Sequence, residues 1–274
     1  MNSFRVLTSV ALTVTLLCLS DVIAIAIAIA NSRPIKLAQV TEDTTLGAEQ
    51  SIVDSSTQNG ATTYRIIGGA TRGSNLFHSF DQFSVRANET AIFVNSTAIE
   101  NIIGRVTGLE VSTLDGRLQA AGSANVFLVK HADIVIGPNA SLDIGGSFAA
   151  STGEVQFEDG TVYSGVSPEQ SPLLTISAPI GLPVETASGK ITVTGQGTPT
   201  QAGIVLEAGQ TLSLVGGEIE LTGARLSAAG GRIELSSGGD IQLANQSVID
   251  VSGTGGGAVE LRGQTIALSE RSAI

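Results

Sequence analysis

From Tyr64 onward the chain alternates short apolar runs with glycine, asparagine and Asp-Gly breaks. The runs include Tyr64-Arg65-Ile66-Ile67, Ala91-Ile92-Phe93-Val94, Val126-Phe127-Leu128-Val129 and Ile134-Val135-Ile136; Gly68-Gly69, Asp115-Gly116, Gly137-Pro138-Asn139 and Gly145-Gly146 punctuate them. Such a pattern predicts many short strands joined by tight turns. No stretch of this region keeps a 3.6-residue apolar period with caps at its ends, so very little helix is expected. Residues 31–60, by contrast, are polar and carry no period.

Toward the C-terminus the pattern repeats. Arg232-Ile233-Glu234-Leu235 returns as Ala258-Val259-Glu260-Leu261, Asp240-Ile241-Gln242-Leu243 as Thr265-Ile266-Ala267-Leu268, and Ser247-Val248-Ile249 as Ser272-Ala273-Ile274. The offsets are 26, 25 and 25 residues. Three strands per period of this length describe one turn of a parallel β-helix. Ile233 and Leu235 then point inward onto their equivalents in the next turn, and Glu234 points out. Gly230-Gly231, Gly238-Gly239 and Gly255-Gly256-Gly257 supply the corners. Ile274 falls within a repeated strand with no capping segment after it. The repeats are therefore expected to continue in a longer polypeptide.

The N-terminus reads differently. Arg5 precedes an apolar run from Val6 to Leu19, Asp21 interrupts it, and Val22 to Ala30 alternates Ile and Ala. Neither half reaches the roughly 20 residues that a spanning helix needs. Residues 1–30 thus read as a secretory signal peptide cleaved after Ala30, with Ala38 as the alternative site. Cys18, the only cysteine, lies inside this segment, so the mature chain offers no thiol for a disulfide, a zinc cluster or a nucleophile. A net charge of −11, with only 14 scattered basic residues, argues against nucleic acid and anionic membrane as partners. Aromatic residues make up 4% and Trp is absent, which suits stacked aliphatic strands better than an enzyme cleft.

Candidate chemistry is sparse. His78 sits between Phe77 and Ser79 in an apolar block, and His131 is the only other histidine, so neither a triad nor a transition-metal site is expected. Glu234 and Glu260 occupy equivalent positions of successive turns, and Glu220 is a candidate to extend the row. Such a ladder is either a solvated acidic face or a Ca²⁺ site. Enzymes acting on polysaccharides use paired carboxylates on β-helices, which keeps that activity as an alternative. The glycine-rich turns lack the Lys-Ser/Thr of a phosphate loop. No catalytic residue, metal or cofactor is assigned.

The middle of the chain carries ordered blocks: Ile67-Gly68-Gly69; Gly73-Ser74-Asn75-Leu76-Phe77-His78-Ser79-Phe80-Asp81-Gln82-Phe83-Ser84-Val85; Asn101-Ile102-Ile103-Gly104-Arg105-Val106-Thr107-Gly108; and Gly122-Ser123-Ala124-Asn125-Val126-Phe127-Leu128-Val129 leading to Leu142-Asp143-Ile144-Gly145-Gly146-Ser147-Phe148. Together they resemble the two-partner secretion (TPS) domain of filamentous haemagglutinin-like exoproteins, most closely the cyanobacterial type. The resemblance covers roughly residues 41–160. It implies an all-β, right-handed parallel β-helix, three strands per turn, with an N-terminal cap and extra-helical strands. It divides the mature chain into a secretion domain at 31–165 and β-helix repeats at 166–274.

The resemblance also implies a function: export through the periplasm to the cell surface or medium, as the targeting and β-helix-nucleating module of a large adhesin, recognised by an outer-membrane TpsB-type β-barrel transporter. A host or cell-surface carbohydrate or protein is a further partner class, and an inert scaffold for a downstream effector, such as a caspase-like domain, is an alternative role. The recognition residues it suggests are Asn75, Leu76, Phe77, His78, Phe80, Asn101, Arg105 and Asn125, with the turn Lys130, His131, Ala132, Asp133 and Ile134. Members of the family often carry Asn-Pro at two turns. Here residues 109–116 and 130–134 lack it, so the fold is expected to persist while transporter recognition is open to divergence.

Overall fold

The computed structural model describes residues 39–166, 174–196 and 203–274. The expected signal segment, Cys18 and both expected cleavage sites lie outside these residues. Among the described residues there is no α-helix, only the 3₁₀ turns Gly47–Glu49 and Val184–Thr186. The chain winds as a right-handed parallel β-helix.

Each coil contributes one strand to each of three faces. The main sheet stacks Asn75–Phe83, Asn101–Val106, Asn125–Lys130, Phe148–Ser151, Thr211–Gly216, Arg232–Ser237 and Ala258–Arg262 in parallel. A second face stacks Ser112–Leu114, Ile134–Ile136, Lys190–Thr194, Glu218–Thr222, Ile241–Ala244 and Ile266–Leu268. The third face is split: Ala61–Gly68 to Ser141–Asp143 form one sheet, and Ile204–Leu206, Arg225–Ala228 and Val248–Asp250 form another.

The repeats fall in the register that the sequence predicts. Ile233 pairs with Val259, Ile241 with Ile266 and Val248 with Ala273. Ile233 and Leu235 are fully buried, stacked on Leu212 and Leu214 of the preceding coil. The corner glycines serve two purposes. Gly230 takes φ +63°, whereas Gly231 has an ordinary φ but would drive a Cβ to 2.1 Å from the Gln210 carbonyl oxygen.

The polar segment before Tyr64, where periodicity gives no element, is also structured. Ser51–Gln58 and Ala61–Gly68 form an antiparallel hairpin across Asn59-Gly60, both at positive φ, which is the Asn-Gly turn chemistry of a tight hairpin. Val40–Glu42 and Ala70–Arg72 pair antiparallel with Asn75–Phe83 and close the exposed edge of the first coil. These pieces make the N-terminal cap.

Between Ser151 and Lys190 the chain leaves the helix. Glu154–Phe157, Val162–Ser164 and Pro179–Gly181 form a small antiparallel sheet that draws strands from both sides of residue 165. It lies over the outward face of the main sheet. Two cores result: the solenoid interior, and a satellite in which outward-facing Phe77, Ile103 and Val129 pack against Val155, Phe157 and Tyr163.

Candidate functional site

The satellite core is bordered by buried polar groups, and the residues singled out by sequence converge there. Parallel in-register stacking puts Asn75, Asn101 and Asn125 in one outward column. Their amides form a ladder. Asn101 Nδ2 donates to Asn75 Oδ1 at 2.9 Å, and Asn125 Nδ2 donates to Asn101 Oδ1 at 3.0 Å. The ladder ends in backbone on both sides: Ser147 N–H donates to Asn125 Oδ1 at 2.9 Å, and Asn75 Nδ2 donates to the carbonyls of Thr175 and Ser177 at 3.1 and 2.7 Å. Such a chain satisfies amides that would otherwise be costly to bury.

Two columns along, Arg105 is buried against the face of Tyr163, 4.6 Å from the ring centroid. Its Nε donates to Ser79 Oγ (2.8 Å), Nη2 to Thr45 Oγ1 (2.7 Å) and Nη1 to the Ser164 carbonyl (3.1 Å). Ser79 and Thr45 each donate onward to Asp43, at 2.7 and 2.6 Å, and Thr107 Oγ1 adds a bond of 2.8 Å. Two hydroxyls thus bridge guanidinium and carboxylate. Burial works to raise the Asp43 pKa, but the bonds from Thr45, Ser79 and Thr107 outweigh it and hold the carboxyl below its usual value. Tyr163 is pushed up, chiefly by burial, and its hydroxyl donates to the His78 carbonyl at 2.9 Å.

The alternate residues of the same strands face the solenoid interior. Leu76 and Phe80 belong to its core, and Phe80 packs 4.9 Å from Phe83 between ring centroids. His78 shares this side, with ring centroids 5.3 Å from Phe93 and 5.9 Å from Phe80. Its Nδ1 lies 2.9 Å from Ser51 Oγ, which also accepts the Ser79 N–H at 3.1 Å. The Ser51 hydroxyl can donate to Nδ1 or accept a second hydrogen bond from it, so the contact serves either ring tautomer. Nε2 is buried without a hydrogen-bond partner. Burial pushes the His78 pKa down to about 3. The ring packs among core aromatics, and among the described residues no carboxylate hydrogen-bonds to it.

At the turn 130–134, Lys130 places its buried ammonium on the Gly108 carbonyl, and burial lowers its pKa despite the opposing fields of Asp81 and Glu110. His131 Nε2 lies 3.2 Å from Ser164 Oγ, and its pKa is lowered by burial. The Ala132 carbonyl lies where a Cβ on Gly189 would clash, at 2.7 Å. The Asp133 carboxylate accepts the Lys190 N–H at 2.8 Å, and Ile134 enters the core. The turn therefore closes without Asn-Pro, through side-chain bonds. The other altered turn leaves Leu109 84% and Val111 48% exposed.

The acidic row differs from the sequence reading. Glu220 does not extend the ladder: it lies on the second face, opposite Gln242, and its carboxylate is 2.6 Å from Lys190 Nζ. Glu234 and Glu260 do pair, but Arg232 bridges them and Arg262 contacts Glu260. Arginines occupy the place of a cation. Among the described residues no group of three or more His, Cys, Asp or Glu is arranged to hold a metal. A groove of about 420 Å³ beside Pro179–Gly181 includes Phe127, Ser213, Glu234 and Arg262; its lining carries one carboxylate, Glu234, which Arg232 engages, where glycoside hydrolysis uses a pair.

Sequence reasoning missed Asp43, Thr45, Thr107, Tyr163 and Ser164. The Asp43-x-Thr45 spacing is an Asx-type turn signal, since Thr45 N–H does donate to Asp43 at 2.9 Å. A tyrosine in a chain so poor in aromatics was the other available cue.

Comparison with known proteins bears on this architecture. A family model for the TPS secretion domain matches residues 38–271. Among solved structures, the filamentous hemagglutinin secretion domain aligns at 13% identity with a TM-score of 0.45, covering 86% of this chain and 97% of that one. None of the curated proteins matches.

Proposed function

From the premise that this chain belongs to the TPS secretion domain family, we propose that it is the targeting and β-helix-nucleating module of an exported adhesin-like protein, delivered through the periplasm and read by an outer-membrane TpsB-type barrel. The family is a secretion module and not an enzyme. The observation that carries the proposal is the family match across residues 38–271. On this reading residues 31–165 hold the targeting information and 166–274 add repeats. A thiol-free mature chain cannot lock itself by disulfides before crossing a membrane, and a solenoid can fold coil by coil as it emerges.

Burial bears on how the proposed recognition residues would be read. Asn75, Phe77, His78, Phe80, Arg105 and Lys130 are covered in the folded domain. Any reading of them by a transporter takes place on the unfolded chain, and folding then hides the signal. Asp133 and the exposed Leu109–Val111 turn stay available afterwards.

The test is secretion of the chain in cells with and without the partner barrel, followed by immunoblotting of medium and periplasm. Barrel-dependent appearance in the medium is expected. Retention as a folded, protease-resistant periplasmic species in both strains would refute the targeting role and leave a β-helix scaffold.

A further inference from the structure

Arg105 joins three parts of the chain that are distant in sequence: Thr45 in the cap, Ser79 in the first coil and Ser164 in the extra-helical sheet. Until Val162–Ser164 docks, its guanidinium lacks both the Ser164 carbonyl and the Tyr163 ring, and Phe77, Ile103 and Val129 lie bare. Cap residues Asp43 and Thr45 would then close over an arginine with incomplete partners. That is a costly state, because burying a charge is tolerable only when its bonds are made.

We propose that Arg105 is the positioning residue of a completion latch, which makes closure of the N-terminal cap conditional on docking of the extra-helical strands. The Asn75 amide reinforces it by reaching forward 100 and 102 residues, to Thr175 and Ser177. The domain can then lock only when the chain through Ser164 is free to fold. A vectorially emerging polypeptide would stay open until that point. This consequence rests on the secretion reading, but the coupling is a property of the purified chain, so failed secretion and a failed latch are distinguishable.

Hydrogen exchange on the full chain, read by mass spectrometry, tests the coupling from both ends. Tyr163→Ala loosens the extra-helical side and Thr45→Val the cap side. Each is expected to speed exchange roughly tenfold, within the range of intramolecular couplings, in both Val40–Glu42 and Val162–Ser164. Arg232–Ser237 and Ala258–Arg262 should keep their protection. In an Arg105→Met background, adding Tyr163→Ala should leave cap exchange unchanged. The proposal fails if Tyr163→Ala frees the extra-helical strands while the cap stays as protected as in the parent, or if every coil speeds up in step. Should Tyr163→Ala not fold, Tyr163→Phe removes only the bond to the His78 carbonyl and is read by the same ratio.

Discussion

Acidification provides a direct test of the interior around His78. In the folded domain the ring stays neutral down to about pH 3, because burial among Phe80 and Phe93 removes the water that would solvate the charged ring. In the unfolded chain it takes up a proton near its ordinary pKa of about 6.5. The unfolded state therefore binds more protons throughout this window, so stability rises with pH across it. The contribution is fully present above pH 6.5 and is lost as the pH falls toward 3. One full proton corresponds to about 1.4 kcal/mol per pH unit; since the unfolded ring is half protonated at pH 6.5, the integrated loss is about 2 kcal/mol between pH 6.5 and 4.5. That is a large share of the roughly 5–15 kcal/mol that holds a typical domain together.

Other groups act in or near this range, among them Glu154, whose carboxyl burial raises above its usual value. His131 is depressed in the same direction, while the depressed carboxyls of Asp43 and Asp159 lose their contribution only at lower pH, below the unfolded carboxylate value near 4. The decisive comparison is thus between the parent and His78→Gln, which keeps a polar group for Ser51 and cannot titrate. Urea unfolding at pH 7, 6, 5 and 4.5 gives the stability slope of each. The parent slope should exceed that of the variant by a fraction of a proton near pH 7, rising to about one proton at pH 5 and below. Parallel slopes, or a His78 ring signal that titrates near pH 6 in the folded protein, would refute a neutral, desolvated histidine.

Two further perturbations probe the same region. Asn101→Ala removes the middle rung of the amide ladder and strands the buried Asn75 Oδ1; a loss of about 2–3 kcal/mol in urea unfolding at neutral pH is expected, against a few tenths for an exposed position. Gly69→Ala should cost more, about 3 kcal/mol or above, because Gly69 sits at φ +84° and a Cβ would lie 2.6 Å from the Phe77 carbonyl oxygen and 2.8 Å from the His78 ring. Its thermal midpoint should fall by several degrees, and a variant as stable as the parent would show that the cap can rearrange around this glycine.

What the sequence determined by itself was the part of the fold governed by period. Strands alternate inward and outward, and coils repeat at near-constant spacing. A single chain therefore fixes both the register of Ile233 on Val259 and the burial of Ile233 and Leu235. The sequence singled out Asn75, Asn101 and Asn125 one by one, 26 and 24 residues apart; that they form one column is a consequence of the parallel register. The hairpin across Asn59-Gly60 was not read from the sequence, because its polar edge strand facing water carries no apolar alternation.

Tertiary structure alone decided what covers the outward face. Phe77, Ile103 and Arg105 occupy positions that alternation assigns to solvent, and they are buried only because a sheet that begins at Glu154, outside the repeat, folds back over them. Nothing local to Arg105 points to Thr45 or Ser164, which are 60 and 59 residues away. The same limit explains Glu220, whose neighbours depend on which of three faces its strand joins. Period sets which residues share a side; the course of the chain outside the period sets whether that side meets water or protein, and so whether a charge there is a surface group or a latch.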